Sequence, residues 1–127
     1  MISAPPPRQI AAGTSPLAEE MVEDILAVPA QLVGSVDPAD VFVLKSRGDS
    51  MAGPGQILDE DFVVVRRQQA AGDGDIITAL LEDEATVKRL KRKNGRVRLM
   101  PDSPVHDPIP GEHAIVLGRV VAVMRVL

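Results

Sequence analysis

Residues 84–100, EATVKRLKRKNGRVRLM, carry the clearest fold signal in the chain. At their centre stands the dipeptide Asn94-Gly95, which suits a two-residue type I′ turn because that turn needs positive φ at both positions. We therefore predict a β-hairpin in which Lys93 faces Arg96. A hairpin of this kind favours an antiparallel sheet.

The two-residue period of a strand sorts the side chains of this hairpin onto two faces. The first face is basic, and its members are Arg89, Lys91, Lys93, Arg96 and Arg98. The second face carries Lys88, Leu90, Arg92, Val97 and Leu99. Lys88 is thus grouped with apolar residues. The basic face is most simply a solvated surface, and a docking patch for a partner stays open as an alternative.

The rest of the chain after residue 35 contains further short β-like runs separated by turn signals. The runs are Val41–Leu44, Phe62–Val65, Ile76–Leu81 and Ala114–Leu127. Turn residues cluster at 53–55, 72–75 and 107–111. We predict a mostly β fold of curled antiparallel sheets or a partial barrel.

The first 34 residues differ from the rest. A proline triplet at 5–7 resists both helix and sheet, so this segment is expected to be an extended arm. A short helix from Leu17 to Leu26 is possible, although Pro29 limits it. We therefore divide the chain into an arm, residues 1–34, and a domain, residues 35–127.

Composition narrows the function classes. The 127 residues suffice for one domain, and with 2% aromatic residues the core must be aliphatic. The absence of cysteine excludes a disulfide scaffold, a thiolate zinc site and a cysteine nucleophile. No metal site or cofactor is expected, and Asp73 with Asp75 is expected to shape a turn.

Charge and hydropathy set the expected location. The chain has neither an apolar run long enough to span a membrane nor a signal-peptide pattern, so we expect a soluble, cytoplasmic protein with no membrane partner. A net charge of −4 argues against a nucleic-acid-binding surface over the whole domain. Local basic patches remain possible.

Two residues suggest a catalytic pair. Ser50 lies in Gly48-Asp49-Ser50-Met51, just after a predicted strand, and Lys88 opens the hairpin. A serine–lysine dyad is a variant of the catalytic triad in which a neutral amine replaces imidazole. An exposed lysine stays protonated, but an apolar environment depresses its pKa by several units, and only Lys88 is on a face that offers one.

Each of these signals also has a simpler explanation. The segment around Ser50 resembles an ordinary turn, and Lys88 fits a strand residue that buries its stem and keeps its ammonium in water. The histidines, His106 and His113, lie in a stretch rich in Pro, Gly and Asp, where surface histidines are ordinary.

Several motifs together resemble the LexA and UmuD family of self-cleaving proteins, in family order and from about Ile10 to the C-terminus. These motifs are Ile10-Ala11-Ala12-Gly13, Leu17-Ala18-Glu19-Glu20, Gly48-Asp49-Ser50-Met51, Gly74-Asp75-Ile76 and Glu84-Ala85-Thr86-Val87-Lys88. Later segments, Leu99-Met100-Pro101, Asp107-Pro108-Ile109 and 116–121, are more similar to LexA than to UmuD.

The resemblance implies specific roles. Ser50 is the expected nucleophile, Lys88 the general base, and Ala12-Gly13 the bond that the protein cuts in its own mobile arm. The backbone N–H groups of Ser50 and Met51 are the expected oxyanion donors. Tethering makes the attack intramolecular, so that a weak catalytic pair suffices.

The resemblance also implies partners. Family members form homodimers, to which the strand 115–127 is a candidate contributor, and they cleave themselves when a RecA filament on single-stranded DNA stabilises the docked arm. Only a dozen residues precede Gly13, so DNA binding is expected only through an N-terminal domain absent from this chain. The alternatives are a UmuD-like stand-alone subunit that trims itself and binds a translesion DNA polymerase, and a peptidase that acts on other chains.

Two positions depart from the family pattern. Glu60 occupies a turn where the family often has glycine, and Gly53-Pro54-Gly55 is unusual after the serine. Both departures concern the loops near Ser50 and leave the dyad itself unchanged.

Overall fold

The computed structural model describes residues 2–4, 8–11, 15–16, 26–28, 31 and 37–127. A short 3₁₀ turn, Pro38–Asp40, precedes the main run of strands. In chain order the strands are β1 (Ile2–Ala4), β2 (Arg8–Ala11), β3 (Ser15–Pro16), β4 (Leu26–Val28), β5 (Val41–Arg47), β6 (Phe62–Arg67), β7 (Ile76–Leu81), β8 (Glu84–Lys93), β9 (Arg96–Met100), β10 (Ile109–Pro110) and β11 (Ile115–Met124).

One large sheet carries most of these strands, in the order β10-β9-β8-β7-β11-β6-β5-β2, with β3 added on β8. Its neighbours pair antiparallel, except that β2 runs parallel to β5. Strands β1 and β4 form a separate two-stranded sheet. Over the described strands the large sheet does not close on itself, which confirms a mostly β, antiparallel, unclosed architecture.

The sheet curls, because strands that are not neighbours share a core. Val63 and Val65 of β6 belong to the same buried cluster as Ala85 and Val87 of β8, although β11 and β7 separate these strands in the sheet. Met51, from the segment between β5 and β6, belongs to this cluster and is fully buried. The curl therefore brings the end of β5 towards β8.

Two further clusters cover other parts of the sheet. One contains Val41, Val43 and Val64, and the other contains Ile77, Ala79, Leu90 and Leu99. Within the described ranges, every buried hydrophobic side chain is aliphatic or methionine, while Phe42 and Phe62 are only partly buried. The expectation of an aliphatic core is confirmed.

The central hairpin forms in the predicted register. Lys93 pairs with Arg96, and both turn residues have positive φ, 52° at Asn94 and 76° at Gly95. Lys88 and Leu90 are both buried, as their shared face predicts. The period and the turn dipeptide thus place Lys88 on the same face as Leu90. Both faces of β8 are buried from Ala85 to Lys88, and Arg92 is exposed, so the period does not by itself set the burial of Lys88.

The expectation that the whole basic face is solvated is wrong at Arg89. Its guanidinium donates two hydrogen bonds to the Asp102 carboxylate, at 2.9 Å each, and a third to the carbonyl of Gly74 at 2.7 Å. The strand period fixes the face on which a side chain lies. It does not reveal which loop covers that face, and here the segment after β9 covers the base of the hairpin.

The proposed division at residues 34 and 35 stays a prediction, because both residues lie outside the described part. The possible helix from Leu17 falls there too, except that Leu26 begins β4. Among the described residues no helix has the length and apolar character needed to cross a membrane.

Gly118 is a point at which packing requires glycine. It lies in β11 between β6 and β7, and a Cβ there would press on the carbonyl oxygen of Arg66 and approach Val65 Cγ1 to 2.6 Å. We expect Gly118→Ala to lower the free energy of unfolding by about 2 kcal/mol, because backbone cannot move aside cheaply.

Chemical denaturation of Gly118→Ala beside Gly72→Ala checks this expectation. A Cβ at Gly72 would meet only the Asp75 carboxylate, at an ordinary 3.5 Å, so that variant is the matched control. Equal stability of the two variants would show that the contact at Gly118 has no such effect.

Candidate active site

The segment that carries Ser50 begins where β5 ends. The chain bends at Gly48, whose φ is +91°, and the Gly48 N–H donates to Asp59 Oδ1 at 2.9 Å. A turn follows, closed by a 3.0 Å hydrogen bond from the Ala52 N–H to the Asp49 carbonyl. Ser50 lies inside this turn and is 1% exposed.

Lys88 reaches the same point from β8. Its Nζ lies 2.9 Å from Ser50 Oγ, and the lysine is 2% exposed. Nζ also donates to the Thr86 hydroxyl and to the Val87 carbonyl, both at 3.2 Å. Ser50 and Lys88, 38 residues apart in sequence, are therefore brought together in a buried position.

Burial changes the chemistry of the amine. Removal of Lys88 from water lowers its pKa from 10.5 to about 8, because the charged form loses its hydration. At pH 7 about one molecule in ten then carries the neutral amine, and half do so near pH 8. A neutral amine has a lone pair that accepts the proton of a hydroxyl.

The backbone around Ser50 offers free donors. Neither the Ser50 N–H nor the Met51 N–H donates a hydrogen bond to any residue in the described part of the chain. Backbone N–H groups beside a serine are the kind of donor that stabilises an oxyanion.

The segment after β9 supports the Ser50 turn from outside. The Ser103 N–H donates to the Ser50 carbonyl at 2.9 Å, and Asp102 Oδ2 accepts from the Gly55 N–H at 2.6 Å. Burial alone would raise the pKa of Asp102, but hydrogen bonds from Arg89 and Gly55 outweigh it, so that the pKa is lowered. An ionised, fixed carboxylate therefore holds the turn.

This support explains the unusual Gly53-Pro54-Gly55 sequence. A Cβ at Gly53 would lie 2.5 Å from the Asp102 carbonyl oxygen, and one at Gly55 would lie 2.5 Å from Asp102 Oδ2. The glycines are the signal from which a close approach could have been inferred. The sequence does not reveal that Asp102 is the residue that approaches, because nothing in residues 53–55 indicates which distant loop lies against them.

The turn at Glu60, the other departure from the family pattern, has the backbone conformation expected of glycine. The φ of Glu60 is +72°, in the left-handed region where glycine is favoured, and its N–H donates to the Ser46 carbonyl at 2.8 Å. Its carboxylate lies 2.8 Å from Lys45 Nζ. The turn thus keeps a glycine-like conformation without glycine.

A second support, also missed from the sequence, comes from the C-terminal end of the chain. The guanidinium of Arg125 donates to both oxygens of the buried Asp61 at 2.7 Å and to the Gln56 carbonyl at 2.9 Å. The hydrogen bond from Arg125 is the main cause of the lowered pKa of Asp61. The Ile57 N–H in turn donates to the Met51 carbonyl at 3.2 Å, which connects this loop to the Ser50 turn.

The histidines lie away from the contact between Ser50 and Lys88. His106 Nε2 is 2.7 Å from Asp49 Oδ1, and both side chains are exposed, at 41% and 72%. His113 is exposed. Asp75 accepts from the Gly72 N–H at 2.8 Å, as expected of a turn residue. Within the described ranges no group of three or more metal-ligating side chains gathers.

The bond Ala12-Gly13 lies outside the described residues, but the strands on both sides of it are described. In β2, Ala11 pairs with Arg47, three residues before Ser50. In β3, Ser15 pairs with Ala85, three residues before Lys88. The two flanks are therefore attached to the two strands that lead to the dyad.

Comparison with known proteins places the chain in a family. The Peptidase S24-like family model matches residues 5–121. The LexA repressor of Streptomyces clavuligerus is 54% identical over 117 residues, which cover 92% of this chain and 47% of the relative. LexA repressors of Acidothermus cellulolyticus and Mycobacterium bovis are 46% and 52% identical, over 98% and 96% of the chain.

The chain spans about half the length of these curated relatives. The family match covers Ser50, Lys88 and the strands on both sides of the predicted cleavage site. The chain belongs to the Peptidase S24-like family and is similar to LexA repressors over most of its length.

Proposed function

We propose that this chain is the self-cleaving part of a LexA-like repressor of the SOS response, which cuts its own Ala12-Gly13 bond. Ser50 acts as the nucleophile and Lys88 as the general base. The observation that carries the proposal is the 2.9 Å contact between Lys88 Nζ and Ser50 Oγ in a buried position.

Cleavage begins with the neutral amine of Lys88. The amine accepts the Ser50 hydroxyl proton as Oγ attacks the carbonyl carbon of Ala12, and the carbonyl oxygen becomes an oxyanion. The N–H groups of Ser50 and Met51 stabilise that oxyanion. Lys88 then returns its proton to the nitrogen of Gly13, so that the peptide bond breaks and Ala12 remains as an ester on Ser50.

Water completes the reaction. Lys88, neutral again, accepts a proton from a water molecule that attacks the ester carbonyl, and Ser50 leaves with its hydroxyl restored. The products are residues 1–12 with a free carboxylate and residues 13–127 with a free amine. The pairing of β2 with β5 and of β3 with β8 supports attack within one chain.

Partners belong to the same proposal. A RecA filament on single-stranded DNA would stimulate cleavage by favouring the docked arm, since a ligand that binds one conformer shifts the population towards it. A homodimer is expected from the resemblance, and operator DNA would be read by a part of the protein outside this chain. The relatives named above are LexA repressors, which favours this function over the polymerase-binding alternative.

Mass spectrometry of the purified chain during incubation at about pH 9 tests this proposal. The expected result is loss of intact mass, with two fragments that meet at Ala12 and Gly13. Stable intact mass, or a cut at a different bond, contradicts it.

The rate of cleavage should follow the charge of Lys88. Because the neutral amine is the active form, the rate is expected to rise about tenfold from pH 7 to pH 9, with a midpoint near pH 8, and then to level off. A series of single-exponential rates across this range measures it. A midpoint at or below the ordinary histidine range, or a rate independent of pH, would exclude Lys88 as the base.

A further inference from the structure

The exposed part of the basic hairpin face has no role in the proposed cleavage. Its members, Lys91, Lys93, Arg96 and Arg98, are here called the hairpin patch. All four are exposed, and they line one concave surface together with Asn94 and Met100. Arg89, the fifth basic residue of this face, is excluded because it is bound to Asp102.

The register arranges the hairpin patch as two like-charged pairs. Lys91 faces Arg98, and Lys93 faces Arg96, on neighbouring strands. Like charges directly opposite each other in a sheet destabilise it. None of the four forms an ion pair with a described residue. Lys91 is attracted to the Asp102 carboxylate, which lies beyond ion-pair distance, so the repulsion is only partly offset within the described fold.

We propose that the hairpin patch binds the phosphate backbone of a nucleic-acid strand. Cations on one face of a strand repeat about every 7 Å, which is close to the separation of adjacent phosphates along a nucleic-acid strand. A row of regularly spaced anions therefore fits the cations on either strand of the hairpin. A compact cluster of acidic side chains on a protein has no such repeat, so it matches the hairpin patch less well.

The composition of the patch defines the kind of binding. It contains no aromatic side chain on which a base would stack, since the phenylalanines of the chain lie in β5 and β6. Contacts to phosphates carry no sequence information. Binding should therefore be independent of base sequence and governed by salt.

Fluorescence anisotropy with the full chain and a labelled oligothymidylate tests the proposal at about pH 7. Four phosphate contacts to a single strand predict a logarithmic salt slope of about −2.8, so that Kd rises about fiftyfold between about 50 and 200 mM NaCl. A labelled duplex predicts a slope of about −3.6 if the duplex is the ligand. The tighter of the two probes identifies the source of the phosphates.

Paired variants assign the binding to the hairpin patch. Lys91→Gln with Arg98→Gln removes one facing pair and should halve the salt slope, while relief of repulsion leaves the melting temperature equal or higher. Arg66→Gln with Arg119→Gln is the matched control, because these exposed residues also face each other, on β6 and β11. The control should bind as the unchanged chain does, apart from a small general effect of charge.

Three results overturn the proposal. The first is absence of oligonucleotide binding at low salt. The second is an equal loss of binding in the two double variants, which would mean that overall charge alone is responsible. The third is tighter binding of polyglutamate or of phosphatidylserine vesicles than of either oligonucleotide. None of these results bears on the dyad, since cleavage is measured without nucleic acid.

Discussion

Self-cleavage is expected to fall at least about a thousandfold in Ser50→Ala and in Lys88→Met, because each removes one half of the reacting pair. Without the Ser50 hydroxyl no ester forms, and without the Lys88 amine the hydroxyl keeps its proton. The double variant should be no slower than either single variant, since residues that act as a unit are not additive. Fragment formation at about pH 9, followed by mass spectrometry, measures all three.

Lys91→Ala is the matched control for the lysine. It lies three residues further along β8 and is exposed. The folded structure gives it no contact with Ser50, so its rate should equal that of the unchanged chain. Cleavage that persists in Ser50→Ala, or that is lost equally in Lys91→Ala, would rule out the dyad as the source of activity.

Lys88→Met is also expected to stabilise the fold at neutral pH. The shift of the pKa from 10.5 to about 8 means that burial of the charged amine costs the folded state about 3 kcal/mol at pH 7. Methionine has a similar length and no charge to desolvate. After loss of the hydrogen bonds to Ser50, Thr86 and Val87, a net gain of about 2 kcal/mol remains.

The pH dependence of this gain has a defined sign. Between pH 8 and 10.5 the unfolded chain binds a proton at Lys88 that the folded chain does not bind, so the unfolding free energy of the lysine protein rises with pH. The advantage of Lys88→Met should therefore be constant below about pH 8 and should shrink towards pH 10.5. The chain contains no tyrosine and no cysteine, so neither of these residue types titrates in the same pH range.

Urea denaturation measures the free energy of unfolding of Ser50→Ala with and without Lys88→Met. Cleavage is blocked in both proteins, so the difference between them reports only on stability. Leu90→Met, on the same buried face of β8, is the control for a change of shape without a change of charge and should alter stability by less than about 1.5 kcal/mol. An advantage that is absent at neutral pH, or that grows with pH, would mean that Lys88 is not desolvated as described.

Local signals in the sequence were enough to predict the hairpin and the position of Lys88. The turn at Asn94-Gly95 fixes the register, and the strand period then places Lys88 with Leu90. The pairing with Ser50 came from the family resemblance, since a Gly-Asp-Ser-Met segment alone indicates only a turn. No local rule relates position 50 to position 88.

The supports of the Ser50 turn were not predictable, for a physical reason. Asp102 and Ser103 act on residues about fifty positions earlier, the first through a side-chain carboxylate that accepts from the Gly55 N–H and the second through its backbone N–H, which donates to the Ser50 carbonyl. Arg125 likewise reaches Asp61 across 64 positions, through an ion pair between the two side chains. Such contacts have no periodic signature, and only the glycines at 53 and 55 hint that a chain must pass close by.

The proposed cleavage depends on a lysine that loses its proton at nearly neutral pH inside the fold. An NMR titration of the ¹⁵N-labelled side-chain amines in Ser50→Ala measures this pKa directly. The chain has four lysines, and the signal of Lys88 is the one that is absent from Ser50→Ala with Lys88→Met. The expected result is a single amine with a pKa of about 8. Titration of all four amines above about pH 10 would contradict the role of Lys88 as the base.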